Sequence, residues 1–168
     1  MPTPVPTPAS ATGDAKPASA SHVTLTQLME VTDANIAGNV HGGVIMRLAD
    51  TAAALAAARH AGALCVTVAV DEISFREPVH VGDVLTLRAS VNDVGTTSLE
   101  CGVRVEAENP ITGHTAHAAT AYFVFVALGA DGRPHPVPRI LAESEQEHRR
   151  QEDARRRRAA RLARKEPR

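Results

Sequence analysis

From residue 64 onward apolar side chains return at every second position, the period of a strand with one buried face. Residues 64–75 (LCVTVAVDEISF) alternate through Val66, Val68 and Val70. Residues 84–94 set Leu85, Leu87, Ala89 and Val91 against Thr86, Arg88, Ser90 and Asn92. Residues 98–107 set Leu99, Cys101, Val103 and Val105 against Ser98, Glu100, Gly102 and Arg104. Residues 114–128 are nearly continuous in apolar and small side chains, as suits a strand covered on both faces. The connections VNDVGTTS and ENPITGH carry hairpin turn residues, and short turns join antiparallel neighbours. A fifth, less regular strand is expected at 22–31, where Val23 and Leu25 alternate before the pattern blurs.

The remaining apolar stretch follows a different rule. VIMRLADTAAALAAARHA (44–61) consists of strong helix formers and ends at Gly62, a stop signal. It is apolar almost all round, which on a helix implies burial on most sides, with Met46 and Leu48 in the core. Residues 32–43 (TDANIAGNVHGG) read as loop. The order is therefore strand, long helix, four strands. An antiparallel sheet wrapped around one long central helix is an α+β layer arrangement, the hotdog architecture, here a single domain over 22–141. With three Phe, one Tyr and no Trp, small aliphatics must fill the interior, so the layers should pack closely.

The ends differ from the body. Residues 1–21, rich in Pro, Thr, Ala and Ser, are expected to be a disordered leader. They lack the basic start and apolar core of a secretion signal. No apolar run reaches the length of a membrane span. Cys65 and Cys101 stand in no disulfide or metal spacing, and a reducing cytoplasm is the expected setting. Residues 1–138 carry 7 basic and 13 acidic side chains, and residues 139–168 carry 11 and 6. The tail (142–168) is expected to be a charged, solvated helix with i,i+4 pairs such as Glu145 with Arg149. Its interspersed acids and lack of aromatics argue against a nucleic-acid partner.

The candidate chemistry begins with Asp50, one carboxylate among alanines. Burying it ionised and alone would cost several kcal/mol. Either it pairs with Arg47 on the helix surface, or it faces a crevice and acts on water. Gly42 and Gly43 precede the helix, where bare backbone N–H groups and the dipole favour negative charge. An acyl oxygen developing charge could be held there. Asn35, in TDAN, is at least good turn chemistry. His114 and His117 would fall on opposite faces of a strand, a poor arrangement for chelation, and His60 suits a helix C-terminus.

DANIAGNVHGGVIMRLAD resembles the signature of the hotdog acyl-CoA thioesterases, both the YciA-type bacterial enzymes and the brain-type acyl-CoA hydrolases. The likeness continues through RHAG, VDEISFREPVHVGDVL and VGTTSLECGVRVEAENPITG to RPHPVPRIL, covering roughly residues 23–141 in order. It implies hydrolysis of an acyl-CoA thioester to fatty acid and CoA, in fatty acid metabolism, with no cofactor and no metal. Asn35 would orient water or thioester, Asp50 would be the catalytic acid residue, as base or nucleophile, and the Gly43 amide would polarise the carbonyl. Gly95, Thr96, Thr97 and Ser98, with Phe75 and Arg76, would contact CoA. His41 and Gly42 would shape the pocket. The resemblance implies a site built across a homodimer, and a trimer of dimers, with no nucleic-acid or membrane partner. Two other readings compete. A hotdog hydratase shares the FxxPVxxGD segment but needs an aspartate–histidine pair on a loop, and no such pair is found. A non-catalytic acyl-CoA sensor could lose Asp50 freely, yet the residue is present.

Overall fold

The computed structural model describes residues 15–165. In chain order its elements are strands β1 (Lys16–Pro17) and β2 (Val23–Leu28), helix α1 (Gly42–Ala61), strands β3 (Leu64–Phe75), β4 (Val84–Val94), β5 (Ser98–Glu108), β6 (Thr115–Leu128) and β7 (Ile140–Leu141), and helix α2 (Glu145–Lys165). The alternation therefore located every long strand. β2 to β6 form one antiparallel sheet in the order β2-β4-β5-β6-β3, with α1 packed on one face. This is the hotdog arrangement.

The predicted inward residues of β4 and β5 are the core. Leu85, Leu87, Val91, Leu99, Cys101, Val103 and Val105 are all buried, and they meet Ile45, Leu48, Ala49, Ala52, Ala53, Ala56 and Ala57 of α1. A helix face of alanines lets the two backbones approach closely, so a chain poor in aromatics still packs densely. No helix among the described residues is long and apolar enough to cross a membrane.

Four expectations need correction. First, order begins inside the supposed leader. β1 pairs in parallel with β7, and residues 18–21 form a 3-10 turn with Ser21 wholly buried, its Oγ accepting from Val91 N at 2.9 Å. Residues 1–14 of that leader lie outside the described residues. Second, the helix begins at Gly42, with His41 as its N-cap, so both glycines belong to its first turn. Third, α1 is not enclosed on all sides. Met46 is 42% exposed and Leu55 48%, because one sheet covers only one broad face of a helix. Val66, Val68 and Val70 are likewise exposed, at 38%, 54% and 46%, on β3, which ends the sheet and has no neighbour on its far side among the described residues. Fourth, the tail helix is docked, not solvated. Ala154 is fully buried, Arg157 pairs with Glu100 at 2.6 Å, and Arg161 pairs with Asp71. Glu152 and Asp153, and not Glu145, take the intrahelical pairing, both with Arg156.

Candidate active site

Asp50 lies two turns into α1, on the margin between its buried and exposed faces, and is half-buried. No ion pair with Arg47 is present among the described residues. Instead Thr67 Oγ1 donates to Asp50 Oδ1 at 2.7 Å. Thr67 adjoins a bulge, where the β3–β6 register skips between Thr67 and Ala69. A bulge re-aims the side chains beside it and is common next to sites of chemistry. The carboxylate is thus fixed by a hydroxyl, and both groups sit at the open β3 edge.

The start of α1 holds the second group of candidates. Gly43 N donates to His41 Nδ1 at 3.0 Å, and Val44 N to the His41 carbonyl at 2.9 Å. The amide expected to polarise a thioester is therefore held by the cap, and the exposed His41 ring must turn away before that amide can meet a substrate. Gly42 lies against Phe75, and a side chain added there would start 3.4 Å from the ring. That contact carries the end of β3 to the mouth of the helix, with Arg76 exposed beside it.

Asn35 occupies the loop before α1. Its Oδ1 accepts from Ala37 N at 2.8 Å, and its backbone N–H bonds Asn39 O at 2.7 Å. The side chain closes its own turn, and no hydrogen bond joins it to Asp50 among the described residues. Gly43 and Asp50 also stand apart. Seven residues of helix rise about 10 Å, so one carbonyl carbon within reach of Asp50 cannot place its oxygen on the Gly43 amide of the same helix. Within a single chain the candidates fall into two separate groups.

The predicted CoA hairpin is a tight turn, closed by Gly95 N to Ser98 O at 2.7 Å. Thr96 O and Thr97 O accept from Val137 N and Ala127 N. Arg158 of α2 lies directly over it, since a side chain at Gly95 would start 2.6 Å from Arg158 Nη2.

The comparisons with known proteins fit this geometry. A profile described as Thioesterase superfamily matches residues 37–114. The uncharacterized acyl-CoA thioester hydrolase YkhA of Bacillus subtilis is 38% identical over 76% of this chain and 74% of its own length. This chain belongs to the acyl-CoA thioester hydrolase family. A solved apo-hexameric acyl-CoA thioesterase superposes with a TM-score of 0.88 and 34% identity, over 92% of this chain and 99% of the other. The Staphylococcus aureus acyl-CoA hydrolase, solved with butyryl-CoA, CoA and CoA disulfide, gives a TM-score of 0.83 and 33% identity over 89% and 91%. The chain spans about a third of the mouse cytosolic acyl-CoA thioester hydrolase, 35% of its length at 36% identity, covering 79% of this chain.

The S. aureus family member has also been solved with an asparagine, an aspartate or a threonine replaced by alanine, the three separated by fifteen and seventeen positions. Asn35, Asp50 and Thr67 keep the same two intervals. Thr67 went unnoticed in the sequence, where it reads as one polar residue in an apolar strand. The signal available was its place on the strand following the aspartate's helix.

Other titratable groups serve the fold. His60 is fully buried, with Nε2 against Pro138 O at 2.9 Å and a bare Nδ1. The helix dipole would favour its cation, but burial outweighs this and lowers its pKa, the Pro138 bond opposing and Lys16 assisting. His117 Nε2 is occupied locally by Thr120 Oγ1 at 2.8 Å. Burial raises the Cys65 thiol to about 11. Among the described residues no cluster of His, Cys, Asp or Glu is gathered for a metal ion.

Proposed function

We propose that this chain hydrolyses acyl-CoA thioesters to a free acid and CoA, at a site that two copies complete together. One observation carries this reading: the Asp50–Thr67 pair stands at an unpartnered edge strand, about two helical turns from the Gly43 amide of its own chain. A second copy laid along β3 would cover Val66, Val68, Val70, Leu55 and Met46, apolar surface that a lone chain leaves in water. The same contact would bring the partner's Asn35 loop and helix start towards Asp50.

In that site Asp50 acts as general base on water, or attacks the thioester carbon itself. Thr67 holds the carboxylate in one orientation. The Gly43 amide, released by His41, and the positive end of α1 stabilise the oxyanion, and Asn35 aligns the water or the thioester. The Gly95, Thr96, Thr97 and Ser98 turn, with Phe75 and Arg76, takes the CoA portion. His41 and Gly42 line the pocket. Assembly as a trimer of dimers extends the same proposal and fits the hexameric relative. A cytosolic setting fits the name of the mouse relative.

Thiol release from a panel of acyl-CoA esters tests the reading. The protein should liberate CoA, Asp50→Ala should lower turnover on the order of 10²–10⁴-fold, and Thr67→Val by about tenfold, the worth of one hydrogen bond. Tight binding of an ester with no thiol release would overturn the enzymatic reading in favour of a sensor.

A further inference from the structure

The sheet face opposite α1 holds a cavity of about 430 Å³ lined by none of the residues assigned above to the thioesterase site. It lies over β2, β4, β5 and β6, with the first turns of α2 as its rim. Its charge is unusual for this body. Residues 1–138 carry only 7 basic side chains, and two of them, Arg88 and Arg104, are exact cross-strand partners in the β4–β5 ladder. Like charges directly opposite one another destabilise a sheet. A single carboxylate serves both: Glu106 accepts from Arg88 Nη1 and from Arg104 Nε at 3.0 Å. α2 adds Arg150, which has no ion pair among the described residues. Glu106 thus serves two guanidinium groups, and the third, on Arg150, is left without a carboxylate among the described residues.

The surroundings are rich in hydrogen-bonding groups and shaped by an absent side chain. Gly102 sits between Ser90 and Tyr122 in the ladder, and a Cβ there would start 2.6 Å from Asn92 Nδ2. Any larger residue would displace Asn92 and fill the hollow. The surplus charge is also felt nearby. The pKa of His117 is lowered first by burial and then by Arg104 and Arg76, with Glu106 only partly opposing. A volume of this size falls in the range of small-molecule sites, and the planar guanidinium fork matches phosphate oxygens.

We propose that this cavity binds a small phosphate-bearing anion through Arg88, Arg104 and Arg150. The phosphates have two possible sources: the CoA part of the substrate, or a separate phosphorylated metabolite.

Calorimetric titration of the full chain with inorganic pyrophosphate tests the site, in wild type, Arg104→Gln and Arg150→Ala. Saturable binding is expected, weakened by salt and at least about tenfold weaker in each variant. Arg156→Ala, on the same helix but outside the cavity, should bind as wild type. Should Arg104→Gln fail to fold, Arg150→Ala carries the test, because Arg150 is exposed on the helix. No saturable binding, or equal affinity in all four proteins, would overturn the proposal. Kinetics distinguish the sources. If Arg104→Gln raises KM for an acyl-CoA but not for the matching acyl-pantetheine, the anion is the substrate's own phosphate. If both KM values hold while pyrophosphate binding is lost, the ligand is a separate metabolite.

Discussion

α1 and α2 are nearly the same length, 20 and 21 residues, and grip opposite faces of one sheet by opposite means. α1 is held by apolar burial, with Ile45, Leu48 and a row of alanines against the inward faces of β4 and β5. Among its described residues α2 has one that is fully buried, Ala154, and otherwise relies on charge. Arg157 pairs with Glu100 and stacks 3.6 Å over the Tyr122 ring, Arg161 reaches Asp71, and Gln151 reaches Asp93. The first grip is insensitive to salt and intolerant of lost volume; the second is the reverse. Asp50 rides on the helix that cannot shift without opening the core, which is the rigidity its proposed catalytic role requires.

The sharpest way to break the comparison is to remove volume beneath α1. Leu48→Ala should cost about 2–5 kcal/mol in denaturant unfolding, through lost transfer energy and the cavity left behind. Glu100→Gln, beneath α2, should cost less, about 1–3 kcal/mol, because a charge-assisted bond weakens while the packing stays. Equal costs would show that both helices dock by the same physics. Raising ionic strength separates them without mutation. Amide protection of α2 should fall between about 0.05 and about 1 M salt, while that of α1 holds.

The smallest effect concerns the C-terminal end of α1. His60 has its pKa lowered by burial, so the unfolded chain takes up a proton before the folded one does. Its contribution is whole above about pH 6.5 and drains as pH falls below that value. Unfolding midpoints should therefore drop between about pH 7.5 and about pH 5.5, and the drop should shrink in His60→Gln.

The same contrast explains what was legible in the sequence. A strand or an apolar helix advertises itself locally, because its period is set by its own geometry, and the strands from 64 onward were read almost to the residue. Docking by charge is not local. Glu100 lies 57 residues from Arg157, and Asp71 lies 90 from Arg161, so a search for i,i+4 pairs sees only a solvated helix. The exposed valines of β3 looked like core because alternation shows that one face is apolar, not what covers it. Asp50 could be picked out by residue type and setting, whereas Asn35 read as turn chemistry until the resemblance of its segment to the hotdog thioesterases singled it out. The resemblance already implied a site shared by two copies; the structure adds the helical rise that parts Asp50 from Gly43 and the open edge beside Asp50, and Thr67 came to notice only through its hydrogen bond to Asp50 beside the bulge.

The claim that two copies share one site has a direct test. Asn35→Ala and Asp50→Ala chains, each inactive alone, are unfolded together, refolded as a mixture and assayed for thiol release. Chance pairing restores both residues at about a quarter of the sites, and activity should return towards that fraction of wild type. A mixture as inactive as its two parents would contradict the account.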